Sequence, residues 1–194
     1  MTAKKPKEER INSILKAAVE EFAEKGYEGA AVDAIAKKAG VSKGGFYHHF
    51  TNKEVLLMEA NKKLMEPFYE MAERAYANSS AINGLRQYMR DYMTYWVDRP
   101  RELGFFFLSM AKALESPVLM NYYRESVTES SAFLTGMFVK AVEAGELQLD
   151  DPEAYGVSLM GALDGALSYA IINPQMKVDI LAERLEKVML GKSK

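Results

Sequence analysis

Apolar residues in this chain recur at spacings of three and four throughout, and no segment alternates apolar with polar as a half-buried strand does. Ile11, Leu15, Ala18 and Phe22 step along one face, and Lys25-Gly26 follows as a stop. Val32, Ile35 and Ala36 mark a short second helix closed by Gly40, and a third short helix covers about 43–50. A fourth starts near Lys53 and runs to about Ala77. Pro67 lies inside it, and its missing N–H predicts a kink or break there, as a static bend or a hinge. Further along, prolines act as start signals. Ser116-Pro117, Asp151-Pro152 and Asn173-Pro174 each pair an N-cap residue with a proline at the first helical position, and Pro100 does similar work without a good cap. The spacing predicts helices near 80–97, 101–114, 117–144, 152–172 and 174–190, with Gly145 closing the long one. The expected fold is all-α, with about nine helices and no internal repeat.

Several function classes are disfavoured at once. The chain has 194 residues, 48% of them hydrophobic, enough to bury a real core. It has no cysteine, which excludes disulfides, thiolate metal sites and a cysteine nucleophile. There is no Gly-rich phosphate loop and no zinc motif, and the two histidines are adjacent at His48 and His49. Neighbours on a helix point about 100° apart, so this pair chelates one metal poorly. No enzyme activity, no cofactor and no metal are expected. The longest uncharged run, Gly165 to Met176, has 12 residues. A membrane span needs roughly 20 apolar residues, so no membrane partner is expected. The charged N-terminus lacks the apolar stretch of a signal peptide, which fits a cytoplasmic protein.

The net charge of −2 hides an asymmetry. Residues 1–63 carry 12 Lys/Arg against 9 Asp/Glu, and residues 64–194 carry 13 against 18. Lys37, Lys38, Lys43 and Lys53 fall in a stretch, 34–53, that holds no acid. A basic head on an acidic body suits a nucleic-acid partner. Within that head, Gly40-Val41-Ser42 joins the second and third helices. Glycine allows a left-handed tight turn, Val41 can plug the angle, and Ser42 can cap the next helix. That spacing fits a helix-turn-helix whose second helix enters the major groove, and it equally fits a plain helical hairpin.

The local sequence separates these two. Val41-Ser-Lys-Gly-Gly-Phe-Tyr-His-His-Phe50, followed by Thr-Asn-Lys-Glu-Val-Leu56, closely resembles the signature of the tetracycline-repressor (TetR) family of transcriptional regulators. So do Ile14-Leu-Lys-Ala-Ala18, Phe22-Ala-Glu-Lys-Gly-Tyr27 and Val32-Asp-Ala-Ile-Ala36 upstream. The resemblance covers about residues 10–58. It implies an N-terminal helix-turn-helix domain over 1–52 and a helical ligand-binding and dimerisation domain over 53–194. It also implies contacts to double-stranded DNA from Ser42, Lys43, Gly44, Gly45, Tyr47, His48, His49 and Lys53.

Elementary chemistry gives these residues roles. Phe46 and Phe50 repeat at i, i+4 and should face a core with Phe22 and Ile35. Lys43, Gly44, Tyr47 and His48 then point outward. Lys43 is a cation at the groove, and the glycines let the backbone approach closely. Tyr47 offers a hydroxyl to phosphate, and the histidines can donate to phosphates or base edges. Lys53 opens the fourth helix, where its charge and the helix N-terminus can meet a phosphate. Two departures from the family pattern stand out. Ala30 and Ala31 replace the Ser or Thr that often caps the second helix, leaving Asp33 to supply part of the cap. Gly45 stands where larger side chains are common, so base readout should be sparse and lean on DNA shape.

Two stripes suit dimerisation. Ala154, Ser158, Gly161, Gly165 and Ser168 are small and heptad-spaced, as are the aliphatic Val178, Leu181, Leu185 and Val188. Two such helices per subunit would build a four-helix homodimer seam, which the resemblance also implies; the other reading is packing within one subunit. On another face of the same helix, Asp164 interrupts an apolar stripe of Val157, Met160, Leu167 and Ile171. A buried carboxylate needs a partner: Arg86, Arg90, Arg124 or a ligand. Tyr88, Tyr92, Trp96, Phe106, Met110, Tyr123, Phe133 and Met137 are either core or, with Asp164, the lining of an effector pocket. The resemblance implies such a pocket, for a small apolar or amphipathic ligand. The expected function is a homodimeric repressor released by that ligand from a palindromic operator. Activation in place of repression stays open, as do a sequence-neutral DNA binder and a ligand-binding protein with weakened DNA readout.

Overall fold

The computed structural model describes residues 6–173, 175 and 177–191, with the side chain of Val178 outside that description. Nine α-helices and no strand occur among the described residues: α1 (Lys7–Gly29), α2 (Val32–Ala39), α3 (Lys43–Tyr47), α4 (Lys53–Tyr76), α5 (Ala81–Val97), α6 (Pro100–Ala113), α7 (Pro117–Glu143), α8 (Pro152–Ile172) and α9 (Val178–Leu190).

Local chemistry accounts for several of the ends. The side chains of Ser42, Ser80 and Asp151 accept from the backbone N–H groups of Gly45, Asn83 and Ala154, satisfying donors that α3, α5 and α8 leave open. Ser116 Oγ accepts from Leu119 N at 3.1 Å and does the same for α7. Gly26 takes φ +72° and turns the end of α1, where the sequence places its stop. Gly40 takes φ +70° and closes α2, its N–H bonded back to the last turn.

Four expectations need correction. α3 ends at Tyr47 instead of reaching residue 50, because His48–Phe50 close as a turn on Gly44 and Phe46. α4 is one continuous helix through Pro67, so the break that residue could have caused does not occur. α9 starts at Val178 with Lys177 as a cap residue lacking a side-chain bond; Pro174, the expected start, lies outside the described residues. α2 begins behind Ala31 with no side-chain cap, and Asp33 does not supply one; its carboxylate is bonded to Lys43.

The chain forms two compact units. The first comprises α1 to α3, α4 as far as Glu66, α6 from Arg101, and the start of α7 up to Tyr123. Its core holds Ile14, Phe22, Ile35, Phe46, Leu56 and Phe105, all fully buried. Phe22 stacks on Phe105 of α6 at 6.0 Å, so the core of the head continues beyond the first three helices. The second unit comprises α4 from Pro67, α5, the rest of α7, α8 and α9. Trp96, Met89, Phe138, Leu159, Leu163 and Leu167 fill it. Two glycines let its backbones touch. A Cβ on Gly84 would collide with the carbonyl oxygen of Ala75, and one on Gly156 would sit 2.6 Å from the amide nitrogen of Thr135.

α8 is the one helix among the described residues whose length and mean hydropathy of 1.3 would let it cross a membrane. Counting uncharged runs does not reveal this, since Asp164 splits the helix. Only 22% of that apolar window is buried within the chain.

Candidate functional site

The first unit presents the two short helices as the sequence suggests. Phe46 and Phe50 turn inward, 5.8 Å apart, and anchor α3 to the core. That leaves Ser42, Lys43, Gly44, Tyr47 and His48 exposed on one side, with Gly45 and His49 half-buried beside them. Tyr47 packs edge-on against Phe46 at 5.3 Å, which holds the phenol without covering it. His48 and His49 lie 5.1 Å apart, edge to face. Burial first, then the neighbouring His48, Arg10 and Lys7, lower the pKa of His49, so it favours the neutral form that both donates and accepts. No group of three or more metal-binding side chains occurs among the described residues.

Two lysines have partners that the sequence reading did not assign. Lys43 Nζ lies 2.8 Å from Asp33 Oδ1 and 3.1 Å from Oδ2, and this hydrogen-bonded pair raises the lysine pKa. Lys53 turns back on the end of α1. Its Nζ donates to the carbonyl of Tyr27 at 2.6 Å, with longer bonds to Ala30 at 3.3 Å and Glu28 at 3.4 Å. It also sits 4.5 Å over the Tyr27 ring, while Lys112 of α6 sits 4.6 Å from that ring and pairs with Glu28. The Lys53 ammonium therefore completes a helix C-terminus, where carbonyl dipoles favour a cation. In this arrangement a phosphate would have to compete for it.

The residues expected to line an effector site divide between the two units. In the first, Phe106 and Tyr123 are buried and Met110 is half-buried. Tyr123 belongs to a buried polar knot the sequence reading missed: Asn61 of α4 donates to Ser109 of α6, whose hydroxyl meets the Tyr123 hydroxyl and donates to the Phe106 carbonyl. Asn61 Oδ1 is buried without a partner, an open acceptor. Burial pushes the Tyr123 hydroxyl pKa up, so it stays a neutral donor.

In the second unit, Tyr88, Tyr92, Trp96 and Met137 are buried, and Phe133 packs on Tyr88 at 5.1 Å. Tyr92 donates to Asp164 Oδ1 at 2.6 Å. The partner of this half-buried carboxylate is thus a phenol and not one of the expected arginines. Arg90 instead forks onto Glu186, with Nε 2.7 Å from Oε1 and an amino group 3.1 Å from Oε2, and Arg86 lies 3.8 Å from the same carboxylate. Burial raises the pKa of Asp164, and burial together with Asp164 raises those of Tyr88 and Tyr92.

The two stripes lie on open faces. Ser158 and Gly161 are exposed, Gly165 and Ser168 half-buried, and a Cβ at either glycine would meet nothing within 4 Å. Beside them α8 exposes Val157, Tyr169 and Ile172, the last at 79%. On α9, Ala182, Glu186 and Met189 face inward, Leu181 and Leu185 are half-covered, and Val188 is 75% exposed. Val178 belongs to the same stripe, but its side chain lies outside the described residues.

Residues 14–60, which include the whole turn and α3, match the sequence family described as bacterial regulatory proteins, tetR family. Over that segment the chain is of the TetR type. Likeness to known proteins also extends over nearly the whole chain. The fatty acid metabolism regulator protein of Bacillus subtilis is 28% identical over 184 residues, covering 92% of this chain and 91% of that protein. The regulator FadR of Bacillus subtilis, solved with stearoyl-CoA, shares the fold with a TM-score of 0.78 at 24% identity, over 94% of this chain and 99% of that one. AibR, solved with isovaleryl coenzyme A and operator DNA, shares it with a TM-score of 0.77 at 21% identity, over 95% and 100%.

The chain thus combines a TetR-type N-terminal segment with further helices that share the fold of TetR-family regulators. What the sequence reading lacks are pairings between helices. Asp33 and Lys43 are ten residues apart, and Asn61 and Ser109 forty-eight. Helical periodicity carries no signal at those separations; only the folded packing brings them together.

Proposed function

We propose that this chain is a homodimeric repressor that binds a palindromic operator and is released by an amphipathic small molecule. One observation carries the DNA-binding part: α3 is pinned from behind by Phe46 and Phe50 and offers an uncovered face of Ser42, Lys43, Gly44, Tyr47 and His48. A short helix held this way can enter a major groove, with glycines letting its backbone approach and polar groups reaching phosphates or base edges. The protein acts in the cytoplasm, where its operator lies. Alanine at Lys43 should weaken binding to the preferred duplex at least several-fold without unfolding the protein. Unchanged affinity and sequence preference, measured by fluorescence anisotropy, would show that α3 is not the reading surface.

Homodimerisation is supported by the open apolar face of α8 and α9. A bilayer suits α8 poorly, because the Asp164 carboxylate at mid-helix is costly in lipid. A second copy would bring small residues against large ones. Sedimentation at micromolar concentration should give a dimer, and a monomer would remove this part of the proposal.

For the effector, aromatic side chains dominate both groups of candidate residues, with few polar anchors. Stearoyl-CoA and isovaleryl coenzyme A, the partners of FadR and AibR, are amphipathic acyl thioesters. An acyl thioester is the effector class we assign to this chain. It must prefer the conformation that does not bind DNA, since equal affinity for both states shifts nothing. Release of labelled operator on titration with acyl-CoAs of increasing chain length is the expected result. Tighter operator binding would reverse the sign of coupling.

A further inference from the structure

Asp33 is the sole acid between residues 29 and 53, the stretch that contains the whole candidate reading head. It lies in the first turn of α2, where an acid favours the positive end of the helix, yet its side chain caps nothing. Both its oxygens face the ammonium of Lys43. Lys43 is the lone cation of α3, followed by two glycines, so it carries most of the charge and reach that this helix can offer to DNA. The one acid between residues 29 and 53 is therefore placed on the one cation of the recognition helix.

We propose that Asp33 sets DNA specificity by holding Lys43 away from the phosphate backbone. The inference rests on the DNA-binding reading above. A free lysine on α3 would join any phosphate and strengthen binding to every sequence alike. Paired with Asp33, it gains little from a random duplex, because the carboxylate already neutralises it and itself repels phosphate. Both partners are exposed, so the pair is weak enough to yield. A base-edge acceptor at the right place can engage the lysine without bringing a phosphate against Asp33. The discrimination then comes from suppressing wrong sequences, not only from rewarding the right one.

The test is a salt titration of binding by wild type, Asp33→Asn, Lys43→Gln and the double variant. Two labelled duplexes serve as probes, one of random sequence and one enriched by selection. Asp33→Asn should tighten binding to the random duplex, with a log–log salt slope steeper by about 0.9, the release from one phosphate contact. That corresponds to roughly threefold more affinity lost between 50 and 200 mM salt. The gain on the selected duplex should be smaller, and the double variant should show none on either. An unchanged slope in Asp33→Asn, with wild-type binding intact, overturns the inference; Asp33 then serves only the α2 N-terminus and its loss shows as a lower Tm. An equal gain on both duplexes overturns it too. Wild type binding neither duplex at low salt overturns the DNA-binding reading itself, and the inference falls with it.

Discussion

Single side chains in this protein do work that their type alone does not announce. Lys53 reads as a phosphate ligand in sequence, yet its ammonium closes the end of α1 on the carbonyls of Tyr27, Glu28 and Ala30. Hydrogen bonds to a charged group contribute about 1.5–3 kcal/mol. Lys53→Met should therefore lower unfolding stability by about 2 kcal/mol in urea melts, even without DNA. A change near zero would return Lys53 to a purely DNA-facing role. Asp164 is the other case. Its folded pKa is raised by burial, so the folded state holds its proton to higher pH than the unfolded chain does. Stability then falls as pH rises from the ordinary carboxylate value through the raised one, and the penalty is complete above it. Asp164→Asn keeps an oxygen for the Tyr92 hydroxyl and removes the charge. At neutral pH the variant should be more stable than wild type, and the gap should shrink as pH falls. A variant less stable at neutral pH would show that the charge itself is needed.

Helix faces differ in how their small residues are used. Gly156 of α8 lies against Thr135 of α7, where a Cβ would come within 2.8 Å of its Cα, and Gly84 of α5 lies equally close to Ala75. Gly161, on the open side of α8, has free space around it. Gly156→Ala should cost about 1–3 kcal/mol through overpacking. Gly161→Ala should leave the subunit fold intact or steady it by up to about 1 kcal/mol of helix propensity. If α8 forms the seam, the same Gly161→Ala change weakens the dimer, which sedimentation would detect as a raised dissociation constant. Similar melting behaviour for Gly156→Ala and Gly161→Ala would contradict this assignment of faces. Most helix starts and stops were legible in the sequence because their signals are local: Asp151 before Pro152, Ser116 before Pro117, Gly40 after α2. The uncapped start of α9 at Val178 was not legible, because the expected Asn173-Pro174 signal precedes it by several residues. The candidate site was half legible. The motif around Ser42 to Phe50 placed its exposed residues correctly, whereas Asp33–Lys43 and Tyr92–Asp164 depend on how separate helices pack.

At the scale of the whole molecule, charge and architecture divide the labour. The head carries the basic surplus and the family signature, and the rest of the chain carries an acidic surplus. α4 runs from the end of the head into the second compact unit, so an effector bound there, as proposed, would have a covalent path to the proposed reading helix. Such a path matters only if the two ends bias one equilibrium. Dimerisation would double the reading surface, and a twofold axis would impose a matching symmetry on the DNA. The direct test of this account is to select duplexes from a random pool with the purified protein at moderate salt and sequence the survivors. Enrichment of one palindrome, its half-sites separated by about one helical turn or a multiple of it, is the expected result. Retained DNA with no enriched sequence would contradict specific recognition and leave a sequence-neutral binder in its place, and no retained DNA would contradict the account as a whole.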